Sequence, residues 1–427
     1  MNQLTIKAPT LINNGPVNLP LSKSIANRML IIGYLSGNED SVQIPECDDS
    51  LTMKELLRKL RRNSYAAQFL SSEMNFHDNS FNTDDAGTVF RFMSALLAIT
   101  PGTALLTGSA RMLERPCGPL IDALVSLGAK CTYKGKLGYP PVLFEGRKLQ
   151  GGSVFINASV SSQFISALMM IAPLMPKGLK IQLKGNAVSQ PYIHLTAELM
   201  RINGINVSVE ETTVTIEPGT YKFAEGIREA DWSAASYWYT LAALLPAGSL
   251  HKLPIVLKGL KSESLQGDHH VAEIFRQLGV ESVWLNGDLL LTRAGSPNNK
   301  IDVNLNGQPD LAPALAVACA GMQVEATIRG LETLVIKESN RLESIKSELK
   351  KRGYVCTIES NNTLHIHKGM IAPTGNVIDT YNDHRIAMAI SMLSLTSGPL
   401  IINDPDVVNK SYPEFWNHLM AAGFSVH

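Results

Sequence analysis

The sequence predicts an α/β protein of two domains, each assembled from three similar repeats. Two interleaved series of segments and the length of the chain carry that prediction. In the first series an amphipathic helix runs into a glycine-centred turn and then an alternating strand: "LIDALVSLGAKCTY", "LTAELMRINGINVSV", "VAEIFRQLGVESVWL", "LESIKSELKKRGYVCTI" and "FWNHLMAAGFSV". Their glycines, Gly128, Gly204, Gly279, Gly353 and Gly423, are 76, 75, 74 and 70 positions apart. Glycine suits the left-handed helix terminus that such a turn needs. In the second series the helices are apolar on nearly every face: "SKSIANRMLIIGYL", "GTVFRFMSALLAI", "SSQFISALMMIAPLM", "DWSAASYWYTLAALL", "DLAPALAVACA" and "DHRIAMAISML". Taken at Ser24, Thr88, Ser162, Ser233, Leu311 and His384, the steps are 64, 74, 71, 78 and 73.

One shared period gives six repeats, each with a buried helix, an exposed helix and several strands. The 427 residues exceed a usual single domain, so the repeats divide naturally into two sets of three. An open solenoid is the alternative, against which stand the uneven steps and the lack of a short recurring consensus. "LTMKELLRKLRRNSY" reads as a degenerate first exposed helix with its turn near Asn63, and the first repeat is shortened around "SEMNFHDNSFNT".

Composition narrows the function. Hydrophobic residues make up 45% of the chain, charged residues 18%, and Lys+Arg and Asp+Glu each number 38. A balanced chain has no global field to attract nucleic acid or an acidic membrane, so any anion site must be a local concentration of charge. The start "MNQLTIKAPT" has no basic and apolar signal regions, and no apolar run is long enough to span a bilayer, which predicts a cytoplasmic protein. The five cysteines, Cys47, Cys117, Cys131, Cys319 and Cys356, lie far apart without CxxC, as expected of reduced thiols rather than disulfides or zinc ligands.

The polar residues gather at the starts of the buried helices, where unpaired backbone N–H groups and partial positive charge favour phosphate or carboxylate. "SKSIANR" opens the first, with Ser24 and Arg28 on one helical face. The plainer reading of that stretch is a serine cap with solvated basic residues. "DDAGTVFR" adds Gly87, where backbone can approach a ligand closely, and Arg91. "MLERPCG" sets Arg115 beside a proline, and "SVSSQF" offers Ser161, Ser162 and Gln163, of which one serine suffices for a cap. "VSQPYIH" places Ser189 and Tyr192 in a similar rigid context. Asp310 in "NGQPDLAPALAV" precedes another buried helix and reads equally as its cap.

In "IKESNRLESIK", Lys337 and Glu338 approach a helix that Asn340 and Glu343 can open as a capping-box-like pair. Arg341 then falls in the first turn, unfavourable unless an anion is present. Glu338, between Lys337 and Arg341, is a catalytic candidate or half of a salt bridge. "YNDHRIAMAISML" repeats the pattern with Asp383 as cap and His384 and Arg385 following, and "VNKSYPE" adds Lys410. GxxxxGK[ST], GxGxxG opening a helix, HExxH and GxSxG are absent, and His365 and His367 lack neighbouring Cys or carboxylates, so no metal site is expected.

Eight ordered motifs, "LSKSIANR", "DDAGTVFRF", "LERPCGPLIDAL", "SVSSQFISALMM", "QPDLAPALAVA", "KESNRLESI", "YNDHRIAMA" and "NKSYPEFW", resemble those of the enolpyruvyl transferases over essentially the whole chain. Within that family they are similar to the members acting on shikimate 3-phosphate in aromatic amino acid biosynthesis, on the route to chorismate. The resemblance implies two domains, each of three βαβαββ units around a pseudo-threefold axis, an inverted α/β barrel. It also implies residues 1–20 with 229–427 in one domain, 21–228 inserted as the other, chain crossings near Pro20 and Glu229, and a site in the cleft between them.

By the same resemblance, Lys23, Ser24, Arg28, Ser161, Ser162, Gln163, Ser189, Asp310 and Lys337, with Tyr192 close by, hold shikimate 3-phosphate. Lys23, Gly87, Arg115, Gln163, Arg341, Arg385 and Lys410 hold phosphoenolpyruvate. Asp310 is the implied base, Glu338 the acid and Lys23 its assistant, with no cofactor, no nucleic acid or membrane partner, and a monomer. C–O cleavage without phosphoryl transfer agrees with the missing P-loop.

Leu21, Asp85 and Thr333 depart from the usual glycine, asparagine and asparagine of that family. An anion at Asp85 requires a partner such as Arg91 or Arg115. Two rivals remain: the family members that act on a UDP-amino sugar (UDP-N-acetylglucosamine) with a reactive cysteine, for which Cys117 is available, and a non-catalytic anion-binding relative.

Overall fold

Every described sheet follows one plan: a first strand lies parallel to a second, and two more strands add antiparallel beside the second, in the spatial order first, second, fourth, third. The structure is a computed structural model that describes residues 2–69, 79–159, 161–185, 188–246 and 254–427. Its chain divides into two compact domains, Lys23–Arg228 and the discontinuous pair Met1–Ser22 with Glu229–His427.

In the inserted domain one sheet runs Ser80–Asn82, Gly102–Thr107, Val142–Gly146, Lys130–Tyr133. The next runs Gly152–Asn157, Leu179–Lys184, Thr213–Ile216, Val207–Val209. In the discontinuous domain Lys300–Asn304, Glu325–Arg329, Thr363–Met370 and Tyr354–Glu359 repeat the order. The other two sheets of that domain need the N-terminal segment. Val17–Asn18 is the first strand beside Ile255–Lys258. Gln3–Lys7 is a fourth strand, set between Leu400–Asn403 and Ser425–Val426.

The helices fall into the two expected classes. Gly87–Ile99, Ser162–Ile171, Trp232–Leu244 and Ala312–Gly321 are buried along nearly their whole lengths, as are most residues of Lys23–Ser36 and all of His384–Ser391. They form two separate cores, one per domain. The exposed helices end where Gly128, Gly204, Gly279, Gly353 and Gly423 take φ between 79° and 100°. There Ala129, Ile205 and Phe424 each donate to a carbonyl five residues back, at 3.0, 3.0 and 3.1 Å, which closes the helix ends.

The first repeat departs from expectation. Helix Asp48–Phe69 passes through Asn63 without a turn. No glycine follows to stop it, and Ala66, Ala67 and Gln68 are good helix formers. Most of the shortened stretch expected around residues 72–83 lies outside the described residues. Leu21 forms an extended bridge with Ala230 and is not among the positive-φ residues, so the position does not demand glycine.

Candidate active site

In the inserted domain, helix Lys23–Ser36 carries one cation at its first residue and another in its second turn, with a different answer for each. Lys23 Nζ pairs with Asp49 Oδ2 at 2.8 Å. Arg28, 2% exposed, has only neutral hydrogen-bond partners among the described residues: Nε donates to Thr196 Oγ1 at 2.7 Å, Nη1 to the Ser24 carbonyl at 2.9 Å, and Nη2 to Ser166 Oγ at 3.2 Å and the Tyr192 carbonyl at 3.4 Å. Its guanidinium also lies 5.4 and 5.9 Å from the ring centres of Phe92 and Tyr192. Burial pulls its pKa down to about 10, so it remains a cation at neutral pH. A buried charge that meets no carboxylate among the described residues is costly, and an anionic ligand would relieve that cost. The solvated-surface reading of Arg28 is therefore wrong. Asn27 lies fully buried beside it and accepts from Ser50 Oγ at 3.0 Å.

Gly87 starts the second buried helix beneath two guanidinium groups. A Cβ there would collide with Arg91 Nη1 and lie 2.8 Å from both terminal nitrogens of Arg115. Arg115 Nη1 donates to the Asp85 carbonyl at 3.3 Å, and the Asp85 carboxylate accepts from Ser109 Oγ. Gln163 Nε2 reaches Thr88 Oγ1 at 3.0 Å, so the second and third helix starts are joined side to side. Ser161 caps the third helix by accepting from the Gln163 amide at 3.2 Å, while Ser162 is buried. Ser189, at φ 54°, precedes helix Gln190–Ile202, on which Tyr192 gives its carbonyl to Arg28 at 3.4 Å.

The discontinuous domain holds the denser cluster. Asp310 lies in the turn Pro309–Leu311 and makes no cap to helix Ala312–Gly321, which corrects the capping alternative. Its carboxylate instead meets Arg341 at 2.8 Å, Arg385 at 3.1 Å and Lys337 at 3.3 Å. Burial would raise its pKa, but Arg385, Lys337 and Arg341 together hold it well below the usual carboxylate range. Arg341 reaches Glu338 at 2.5 Å and Asp383 at 2.7 Å as well. Burial opposes its charge, yet Asp383, Glu338 and Asp310 raise its pKa overall. The first-turn conflict visible in the sequence is thus answered by three carboxylates.

Asp383 also caps helix His384–Ser391 by accepting from the Arg385 amide at 3.0 Å. Asn340 accepts from the Glu343 amide at 3.4 Å, but Glu343 turns to Lys346 at 3.1 Å, so only half of the expected capping box is described. Lys410 is buried at the end of the turn Pro405–Lys410, which packs against helix His384–Ser391. Thr333, also buried, finds no hydrogen-bond partner for its hydroxyl among the described residues.

The predicted residues fall into two sets, one on each domain. Sequence reasoning does not reach Asp49, Thr196, Ser166, Ser233 or Asp268, nor the ion pair of Asp383. Periodicity places these residues on their elements, and only the packed chain shows which cations they face. Cys117 is 1% exposed, donates to the Gly138 carbonyl at 3.5 Å, and is pushed by burial up to about 12. A thiol in that state is a poor nucleophile at neutral pH.

Comparison with known proteins bears on the family and the fold. Residues 9–419 match the model of the family described as EPSP synthase (3-phosphoshikimate 1-carboxyvinyltransferase). A 3-phosphoshikimate 1-carboxyvinyltransferase of Bacteroides fragilis is 38% identical over 424 residues, 99% of this chain and 98% of that protein. One of Colwellia psychrerythraea is 34% identical over 433 residues, covering 98% and 99%. In fold, EPSP synthase from Acinetobacter baumannii superposes with a TM-score of 0.73 at 21% identity, covering 100% of both chains. The enolpyruvyl transferase NikO from Streptomyces tendae also reaches 0.73, at 13% identity, covering 100% of this chain and 98% of its own.

Proposed function

Because the chain belongs to the EPSP synthase family, we propose that it transfers the enolpyruvyl group of phosphoenolpyruvate to the 5-hydroxyl of shikimate 3-phosphate, releasing phosphate. The observation that carries this reading is the cluster of Asp310 and Glu338 among Lys337, Arg341 and Arg385. It supplies cations for anionic esters and carboxylates for moving protons in one place. Lys23, Ser24, Arg28, Ser161, Ser162, Gln163, Ser189, Tyr192, Asp310 and Lys337 hold shikimate 3-phosphate in this reading. Lys23, Gly87, Arg115, Gln163, Arg341, Arg385 and Lys410 hold phosphoenolpyruvate.

Two highly charged esters repel each other, so much of the catalysis lies in bringing them together. The 5-hydroxyl loses its proton to Asp310 and attacks C2 of phosphoenolpyruvate, while C3 takes a proton from Glu338 with help from Lys23. The tetrahedral adduct then expels phosphate by C–O cleavage and gives up a C3 proton to restore the double bond. Asp310 clamped by three cations is a weak base. Ligand anions that draw Arg341 and Arg385 to themselves would loosen the clamp and raise its basicity.

The burial of Cys117 favours this acceptor over a UDP-amino sugar, whose transferases rely on a reactive cysteine. The reading is tested by mixing the protein with both substrates in the presence of a chelator and measuring phosphate release. Wild type should release phosphate, and Glu338→Gln should be slower by about a hundredfold or more. Thermal stabilisation by both ligands without release would leave a binding protein, and no response to either would sink the substrate assignment.

A further inference from the structure

Arg385 is held from two sides, and only one of them belongs to the cluster described above. Its Nη2 donates to Asp310 Oδ2 at 3.1 Å and also lies 3.4 Å from Ser233 Oγ, where the hydroxyl accepts. The Ser233 hydroxyl in turn donates to Asp268 Oδ2. Ser233 stands in the first turn of helix Trp232–Leu244, and Asp268 in the turn Gly267–His270 that packs against that helix. Asp268 is 2% exposed.

A hydroxyl has one proton to give. Once Asp268 takes it, the oxygen lone pairs of Ser233 must face Arg385. The geometry points to Asp268 as a positioning residue that acts through Ser233 to hold the Arg385 guanidinium in place for phosphoenolpyruvate. The inference rests on the assignment of Arg385 to that ligand.

The surroundings of Asp268 give its burial a purpose beyond packing. It is faced by Asp310 from the turn Pro309–Leu311, by Arg385 from helix His384–Ser391, and by Asp231 and Ser233 from the start of helix Trp232–Leu244; its own turn adds His269 and His270. Burial first, then Asp310, raises its carboxyl to about 6 against the opposing pull of Arg385 and Ser233. A carboxylate kept buried at that disadvantage is the pattern of a group retained for its acceptor oxygen. The same logic explains why "QGD" precedes a helix that it does not cap: Asp268 lies within its 3-10 turn, with its carboxylate directed to Ser233 of the neighbouring helix.

The test is steady-state kinetics on the full chain with Ser233→Ala, Asp268→Ala, the double variant and Asp268→Asn. Each alanine variant should raise the KM for phosphoenolpyruvate about tenfold while the KM for shikimate 3-phosphate stays within about twofold. The double variant should be no worse than either single one, because both break the same path. Asparagine keeps an acceptor for Ser233, so Asp268→Asn should recover most of the affinity lost in Asp268→Ala.

Equal shifts in both KM values, additive single effects, or an asparagine variant as impaired as the alanine would each overturn the positioning role. Ser233→Ala alone carries the test if the Asp268 variants melt below the assay temperature. Wild type without turnover would overturn the substrate reading itself, and with it this inference, whereas active wild type with unaffected variants overturns the inference alone.

Discussion

Gly87 has no room for a side chain on the side facing Arg91 and Arg115. The obstructing atoms are the far ends of two flexible guanidinium groups, not backbone, so the fold can accept an alanine by moving them. The cost falls on whatever those groups bind. Gly87→Ala should keep a melting temperature close to wild type and raise the KM for phosphoenolpyruvate by about tenfold, the loss of one good charge-assisted contact. A variant with unchanged KM would show that Arg91 and Arg115 do not act on that ligand. Arg28 makes the complementary point. Its neutral surroundings are arranged by Thr196, Ser166 and the Ser24 carbonyl, and none of its hydrogen-bond partners among the described residues is a carboxylate.

Among the elements, the turn Pro309–Leu311 and the start of helix Arg341–Lys351 depend on one another, because Asp310 is a counterion of Arg341 and Arg385 together. A carboxyl whose folded-state pKa is depressed contributes stability that is complete above its unfolded pKa and is lost as pH falls through the folded one. Asp310→Asn should therefore melt lower than wild type at pH 7, by about 2 kcal/mol or roughly 5 °C, with the gap still open at pH 5 and closing only in stronger acid. Inorganic phosphate should restore part of the loss by standing in for the missing anion. Thermal melts that show Asp310→Asn at or above wild type at pH 7 would remove this account of the cluster.

The same element shows how far sequence carries. The helix start, the misplaced Arg341 in its first turn and the neighbouring Glu338 are all legible locally, because a first-turn cation without an anion is a local contradiction. The capping reading of Asp310 was equally allowed by the sequence. Its true partners lie 27, 31 and 75 positions away, at Lys337, Arg341 and Arg385. Asp268 and Asp49 are harder still, since each follows ordinary turn-like residues and gains meaning only from the cation or hydroxyl packed against it. The turn expected near Asn63 fails for the opposite reason: a repeat was extrapolated past the glycine that enforces it elsewhere.

For the whole molecule, the strand order argues that the two domains differ in what they need to fold. Residues 23–228 contain all the strands of their two described sheets and a core of their own. Residues 229–427 lack Gln3–Lys7, an interior strand of one sheet, and Val17–Asn18, the edge strand of another. Expressed alone, 23–228 should give a cooperative thermal transition. Residues 229–427 should give one only when a peptide of residues 1–22 is supplied. A cooperative melt of 229–427 without the peptide would mean that the interior strand is dispensable.

Gln3–Lys7 leaves the ribosome several hundred residues before the strands on either side of it, Leu400–Asn403 and Ser425–Val426. At ordinary elongation rates the earlier strand waits on the order of half a minute for its neighbours. The intervening domain can complete itself during that interval, on a nascent chain still under synthesis. The later strands then close a sheet around a segment made several hundred residues before them, so the discontinuous domain completes its sheets only after the inserted domain has been synthesised.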